Sequence, residues 1–253
     1  MSSRLHHFDD IAAAASALAA AVSADLHSAL ALVPRALLLV SGGHSPVVFF
    51  QRLATMPLDW QRIDVSLVDE RSVAANDAAA NARLVQENLF TGAAAQARWL
   101  PLLPPNLFDA SDPWTAACQA AAAANADVRL ATPAVIVLGL GNDGHTASLF
   151  ADAPQWSQAR STTQRYLALQ PGSAPHARIS LSLAALRSQP RCYLWAVGAD
   201  KAATLARLQH AVSISVAGMP EATSGATQDS GPLQRLLADP SALLEIYCAE
   251  DGQ

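Results

Sequence analysis

Four short apolar runs constrain the fold more than any other feature: residues 35–40 (RALLLV), 63–68 (IDVSLV), 134–138 (AVIVL) and 192–197 (CYLWAV). Runs with so few polar interruptions suit strands covered on both faces, the situation in parallel sheets. Helical signals lie between them. Asp9 or Asp10 can cap a first helix in which Leu18, Val22, Leu26 and Ala29 or Leu30 recur at helical spacing before Pro34. A second helix starts near Val47, a third spans 77–90 with Asp77 as its cap, an alanine-rich one covers 116–125, and another runs from about Asp200 to Leu208. Shorter strands are expected at 166–170 and 178–183, around the turn PGSAPH, and a last one at 243–248. The stretch 213–231, rich in Ser, Thr and Gly, carries the weakest structural signal. Strands alternating with helices mean βαβ units, so an α/β fold with a mainly parallel sheet flanked by helices is expected. No repeat or linker divides the chain, and residues 1–253 read as a single α/β domain.

Composition removes several function classes. Hydrophobic residues make up 51% and charged residues 15%, so the chain has a core to build and is not disordered. The net charge is -5, Lys201 is the only lysine, and basic residues are not clustered, so nucleic acid is not an expected partner. Cys118, Cys192 and Cys248 are far apart and odd in number, which fits reduced thiols rather than disulfides or a metal site. The N-terminus lacks the apolar core of a signal peptide, and the uncharged stretch 11–24 is shorter than the roughly 20 residues of a membrane span. A cytoplasmic protein without a membrane partner is expected.

In parallel α/β sheets ligands sit beyond the carboxyl ends of the strands. Three segments occupy such places. In Ser41-Gly42-Gly43-His44-Ser45-Pro46 the glycines let backbone amides approach an anion, Ser45 can act as N-cap, and Pro46 suits the first helical position. The segment is either an anion site at a helix N-terminus or a plain strand-to-helix turn. In Asp69-Glu70-Arg71, Arg71 can hold a phosphate or a developing oxyanion, and Asp69 can orient a sugar hydroxyl or Arg71 itself. The alternative is a solvated strand end with a local ion pair. The third is 139–150, GLGNDGHTASLF, where Gly139, Gly141 and Gly144 spell GxGxxG. A dinucleotide site does not follow, because Pro154 cuts the next helix short and no acidic residue lies between Asp152 and Asp200. The glycines instead free the backbone so that His145, beside Asp143, can face a ligand. A neutral imidazole can take a proton at neutral pH; the other reading of His145 is a structural hydrogen bond at a turn.

Together these segments resemble the 6-phosphogluconolactonase family. The order is SGGHSP, DER, Asn81, GLGNDGHTASLF, Arg178-Ile179-Ser180, then Gly198 with Lys201. The block DGHTASLF is the most specific, and the tail GPLQRLLADP followed by LLEIYCAED resembles the ends of bacterial members. Two positions depart: His44 stands where a small residue or Arg is expected, and Ala80 where Ser is common. The resemblance implies a Rossmann-like sheet of the glucosamine-6-phosphate deaminase/ribose-5-phosphate isomerase-like type. A deaminase would carry an aromatic residue in place of Arg71 and continue DGH with Ile-Ala-Phe, so a deaminase or isomerase activity is the lesser alternative. A sugar-phosphate sensor, which would add a basic helix-turn-helix domain, is the least.

The implied substrate is a sugar-phosphate lactone. Its hydrolysis needs a base, for which His145 is the candidate, with Asp143 beside it. It needs donors for the oxyanion, for which the amides of the 141–145 turn or Arg71 serve. It needs a remote phosphate anchor, for which Gly42, Gly43, Arg178 and Lys201 are the candidates, with Ser41, His44, Asp69, Gly141 and Gly144 completing the substrate contacts. No cofactor is called for and no metal motif is present. A monomer or small homo-oligomer is expected.

Overall fold

The computed structural model describes residues 3–189, 191–216 and 230–250. In chain order these form β1 (Arg4–Phe8), α1 (Ile11–Leu30), β2 (Ala36–Val40), α2 (Val47–Ala54), β3 (Ile63–Leu67), β4 (Asp69–Arg71), α3 (Asn81–Leu89), β5 (Arg98–Trp99) and α4 (Pro113–Ala126). There follow β6 (Val135–Gly139), α5 (Trp156–Ser161), β7 (Tyr166–Leu169), β8 (Arg178–Leu181), α6 (Leu183–Arg187), β9 (Cys192–Val197), α7 (Ala199–Val216), α8 (Pro232–Ala238) and β10 (Leu244–Ala249).

The main sheet has the order β1-β10-β9-β6-β2-β3-β5, and every neighbouring pair in it is parallel. The expected α/β architecture with a mainly parallel sheet is therefore the one observed. Its central strands are buried on both faces: Leu38, Leu39, Ile136 and Leu194 have no exposed surface. Burying one such side chain contributes about 1.5–3 kcal/mol. From β2 the chain moves outward to β3 and β5, then returns to place β6 on the other side of β2. The order thus reverses between β2 and β6, and a crevice opens there at the carboxyl ends of the two strands.

A second, antiparallel sheet, β4-β8-β7, stands beside the main one. Asp69–Arg71 belongs to it and is not the charged end of β3. Val68 donates to the Val40 carbonyl and the chain then leaves the main sheet. Asp69 and Glu70 are only 5% and 3% exposed, so a solvated strand end is ruled out.

Several details differ from those expected. Helix α3 starts at Asn81, not Asp77, whose carboxylate instead accepts from the Ala79 amide. The first amides of α3, Asn81 and Ala82, donate to Glu70 at 2.8 and 2.7 Å, so a carboxylate from another strand caps this helix. Ser45 does not cap α2, which starts at Val47 with Pro46 before it and no side-chain cap. No helix follows β6 directly, so Pro154 has none to shorten; turns run on to α5. Strand β1 gave no apolar signal because it is a largely exposed edge strand paired only with β10. Helix α7 continues to Val216; the rest of the weak stretch, 217–229, lies outside the described residues.

Helix α1 runs from Ile11 to Leu30, the span that its apolar spacing predicts, and Asp10 caps it by accepting from Ala13. By length and composition it is apolar enough to cross a membrane. Its stripe Ala14, Leu18, Val22 and Leu26 is fully buried against the rest of the protein, as a core helix requires.

Candidate active site

The loops after β2 and β6 meet at the crevice and line one cleft with Asp69 and Arg71 of β4, Arg178 of β8, Trp195 of β9 and Lys201 of α7. Residues 160 positions apart in the chain are thus brought together by the order of the strands. Of the expected substrate contacts, Ser41, Gly42, Gly43, His44, Asp69, Gly141, Arg178 and Lys201 all line the cleft; Gly144 stands behind it, facing Leu208.

His145 sits in a tight loop. Its carbonyl accepts from the Gly141 amide, and the Gly144 amide bonds to the Gly141 carbonyl. A Cβ on Gly141 would overlap the His145 ring and the Asp143 carboxylate, so only glycine permits this approach. His145 Nδ1 lies 2.5 Å from Asp143 Oδ1, and the same oxygen accepts from the His145 amide. Burial raises the Asp143 carboxyl, but the hydrogen bond and charge of His145 outweigh it and hold the group below its ordinary value. A carboxylate can only accept, so Nδ1 is the donor in this pair and Nε2 is the nitrogen left without a bond to Asp143. The imidazole stacks on Phe150 with ring centroids 4.1 Å apart, which fixes the second angle of the ring. Helix α7 tethers the loop, Thr204 Oγ1 donating to the Asn142 carbonyl.

The turn amides expected to meet the oxyanion are mostly taken. Those of Gly141, Gly144 and His145 are all bonded within the loop. The amides of 42–45 are different: no described group accepts from them, and the buried hydroxyls of Ser41 and Ser45 have no partner. Trp195 Nε1 holds this loop by donating to the Ser45 carbonyl at 2.9 Å. Gly42 packs on Asn81, where a Cβ would overlap the Asn81 side chain.

Arg71 and Arg178 face each other directly across β4 and β8. Like charges in that position oppose pairing. Among the described residues no carboxylate oxygen lies within 4.0 Å of either guanidinium, and the buried Nε of each has no partner. Arg71 is held by neutral acceptors, the Ala79 carbonyl at 2.8 Å and Asn81 Oδ1 at 2.6 Å. Arg178 has Ser148 Oγ at 3.2 Å and the Pro175 carbonyl at 3.3 Å. Burial lowers the pKa of Arg178, and Arg71 beside it adds to this, while Asp69 opposes both. A guanidinium remains charged through such shifts. Burial also lowers the pKa of Lys201, which has no carboxylate partner among the described residues. Uncompensated cations and free amides around one cleft are an arrangement that an anion completes.

A profile described as glucosamine-6-phosphate isomerases/6-phosphogluconolactonase matches residues 9–229. The chain belongs to this family. Within the glucosamine-6-phosphate isomerase/6-phosphogluconolactonase family, a 6-phosphogluconolactonase of Pseudomonas aeruginosa is 44% identical over 194 residues, covering 74% of this chain and 77% of its own. One from Rhizobium meliloti is 33% identical over 252 residues, 98% of this chain and 100% of its own. The crystal structure of a 6-phosphogluconolactonase from Shewanella baltica superposes with a TM-score of 0.79 at 29% identity, covering 98% of this chain and 97% of that one.

Sequence reasoning passed over Ser148, Phe150 and Trp195 as site residues and used Asn81 only as a landmark. The first two lie within the specific DGHTASLF block, so their position was visible although their contacts were not. Trp195 shows no polar signal at all; it lies in an apolar strand and acts through one indole N–H.

Proposed function

We propose that this cleft hydrolyses 6-phospho-D-glucono-1,5-lactone to 6-phosphogluconate, the second step of the oxidative pentose phosphate pathway, with His145 as the base that activates water. The observation that carries the mechanism is the Asp143–His145 pair beside a cluster of unpaired cations. Asp143 holds the proton on Nδ1, so Nε2 takes a proton from water as it attacks the lactone carbonyl. A positioned base of this kind contributes about 10²–10⁴-fold. The tetrahedral oxyanion then needs a donor. Arg71 fits best, because three turn amides are occupied and its Nε is free. Protonated His145 returns its proton to the ring oxygen as the C1–O bond breaks.

The phosphate binds away from this chemistry. The free amides of 42–45, the hydroxyls of Ser41 and Ser45, Arg178 and Lys201 supply its donors, with His44 at the exposed rim. Binding energy gathered there orients the carbonyl toward His145. Asp69 is placed to accept from a sugar hydroxyl. We assign no metal or cofactor to this reaction, and read residues 1–253 as one domain acting in the cytoplasm as a monomer or small homo-oligomer, without nucleic-acid or membrane partners. The scattered basic residues and the buried stripe of α1 support this.

The test uses lactone generated fresh from glucose-6-phosphate and coupled to phosphogluconate dehydrogenase, with an enzyme-free blank for spontaneous hydrolysis. Native protein should far exceed the blank, and His145→Ala should lose about 10²–10⁴-fold in kcat with its melting temperature nearly unchanged. A native rate equal to the blank rules out the activity; an active His145→Ala rules out the base.

A further inference from the structure

The cleft-facing side of the small sheet carries opposite charges that do not meet. Asp69 pairs with Ser180 and Arg71 with Arg178, so Asp69 and Arg178 are diagonal neighbours on one face. Diagonal positions stand about 7–8 Å apart, within reach of a long side chain. Asp69 and Arg178 are only 5% and 6% exposed, where attraction between charges is strong. Direct contact is nevertheless absent.

Ser148 stands between them. Its Oγ donates to Asp69 Oδ2 at 2.6 Å and accepts from Arg178 Nη1 at 3.2 Å. A hydroxyl has one proton and two lone pairs, so it satisfies both at once. The serine is fully buried and fixed, its amide donating to Ser180 Oγ at 3.1 Å. The preceding Ala147 has φ 51°, a left-handed conformation that a residue with a Cβ rarely takes, and this turn sets Ser148 at its place.

We infer that Ser148 is a positioning residue, a neutral spacer that keeps the Asp69 carboxylate off Arg178 and so leaves the guanidinium free for the substrate phosphate; this rests on the assignment of Arg178 to the phosphate anchor. Without the hydroxyl, Asp69 loses its donor and closes on Arg178. The resulting ion pair cancels the charge that the phosphate uses.

Calorimetric binding of inorganic phosphate, alone, tests this on native protein and variants. Native protein should bind phosphate and Arg178→Ala should not. Ser148→Ala should weaken binding about tenfold or more, the scale of one charge-assisted hydrogen bond. Adding Asp69→Asn to Ser148→Ala should restore it, since no carboxylate remains to close. In turnover, Ser148→Ala should raise KM and spare kcat. Ser148→Cys keeps a side chain of similar size but hydrogen-bonds only weakly, so it should weaken phosphate binding as Ser148→Ala does, and it carries the test where alanine impairs folding. If phosphate binds Ser148→Ala and Ser148→Cys as it binds native protein while Arg178→Ala loses it, the spacer role is wrong and the anchor stands. A loss that Asp69→Asn does not restore makes the serine merely structural and also overturns the inference. If Arg178→Ala binds phosphate normally, the anchor assignment falls and the spacer falls with it.

Discussion

At the scale of the residue, the site depends on atoms that approach too closely for ordinary side chains. Gly141 lies against the His145 ring and the Asp143 carboxylate. Gly141→Ala must push the pair apart or unwind the loop. Overpacking of this kind costs about 1–3 kcal/mol of stability. The catalytic cost is larger, because Nδ1 loses the carboxylate that fixes its proton. Steady-state kinetics should show kcat down about tenfold or more, toward the level of a mispositioned base, and more affected than KM, because the atoms nearest a Cβ at Gly141 belong to His145 and Asp143. A Gly141→Ala enzyme with native kcat would show that the Asp143–His145 geometry is not needed.

At the scale of the element, β4 and α3 hold each other. Glu70 points away from the cleft and accepts from the amides of Arg71, Asn81 and Ala82. In doing so it caps a helix whose own preceding residues supply no cap. Asn81, now fixed at the start of α3, holds Arg71 through Oδ1 and the Asp69 carbonyl through Nδ2. Burial pushes the Glu70 carboxyl up from 4.5 to about 7, against the three amide bonds, which favour the ionised form. A pKa raised on folding stabilises the native state fully below about pH 4.5, and that contribution is lost as pH rises through about 7. Glu70→Gln keeps an acceptor without a titrating charge. Its denaturant midpoint should depend less on pH between 4.5 and 7 than that of the native protein. Parallel profiles for the two would contradict this account.

At the scale of the whole molecule, the end of the main sheet opposite the cleft is tied by a buried acid. Asp64 on β3 accepts from Arg35 at 2.8 and 2.6 Å and from Arg98 of β5 at 2.9 and 2.5 Å. Burial raises its carboxyl, but the bonds and charges of Arg98 and Arg35 prevail and hold it below the ordinary 3.8. A lowered pKa gives stability that is present above about pH 3.8 and lost as pH falls through the native value. Asp64→Asn should cost about 1–3 kcal/mol in urea at neutral pH, less than a fully buried pair because both guanidinia keep solvent contact. It should also lose part of the acid sensitivity of the native protein; a variant as stable and as acid-sensitive as native would refute the tie.

Periodicity and short motifs were enough to establish the α/β class, the main strands and most residues of the cleft. Short apolar runs bounded by turn signals suit buried strands, and glycines around His145 at a strand end suit a tight turn. The resemblance built on those motifs pointed to the right family. What the chain could not show locally came from contacts across it. Asp69–Arg71 looks like the charged end of a strand, yet it is a separate strand, because β8 offers it hydrogen bonds from more than 100 positions away. Asp77 looks like a cap, but a buried carboxylate from β4 stands closer to the helix amides and displaces it. The amides of Gly141, Gly144 and His145 look like oxyanion donors until the loop closes on them. Side-chain type and spacing decide what a segment can do alone; which acid meets which base, and which donors remain free, depends on distances that exist only once both sheets have formed.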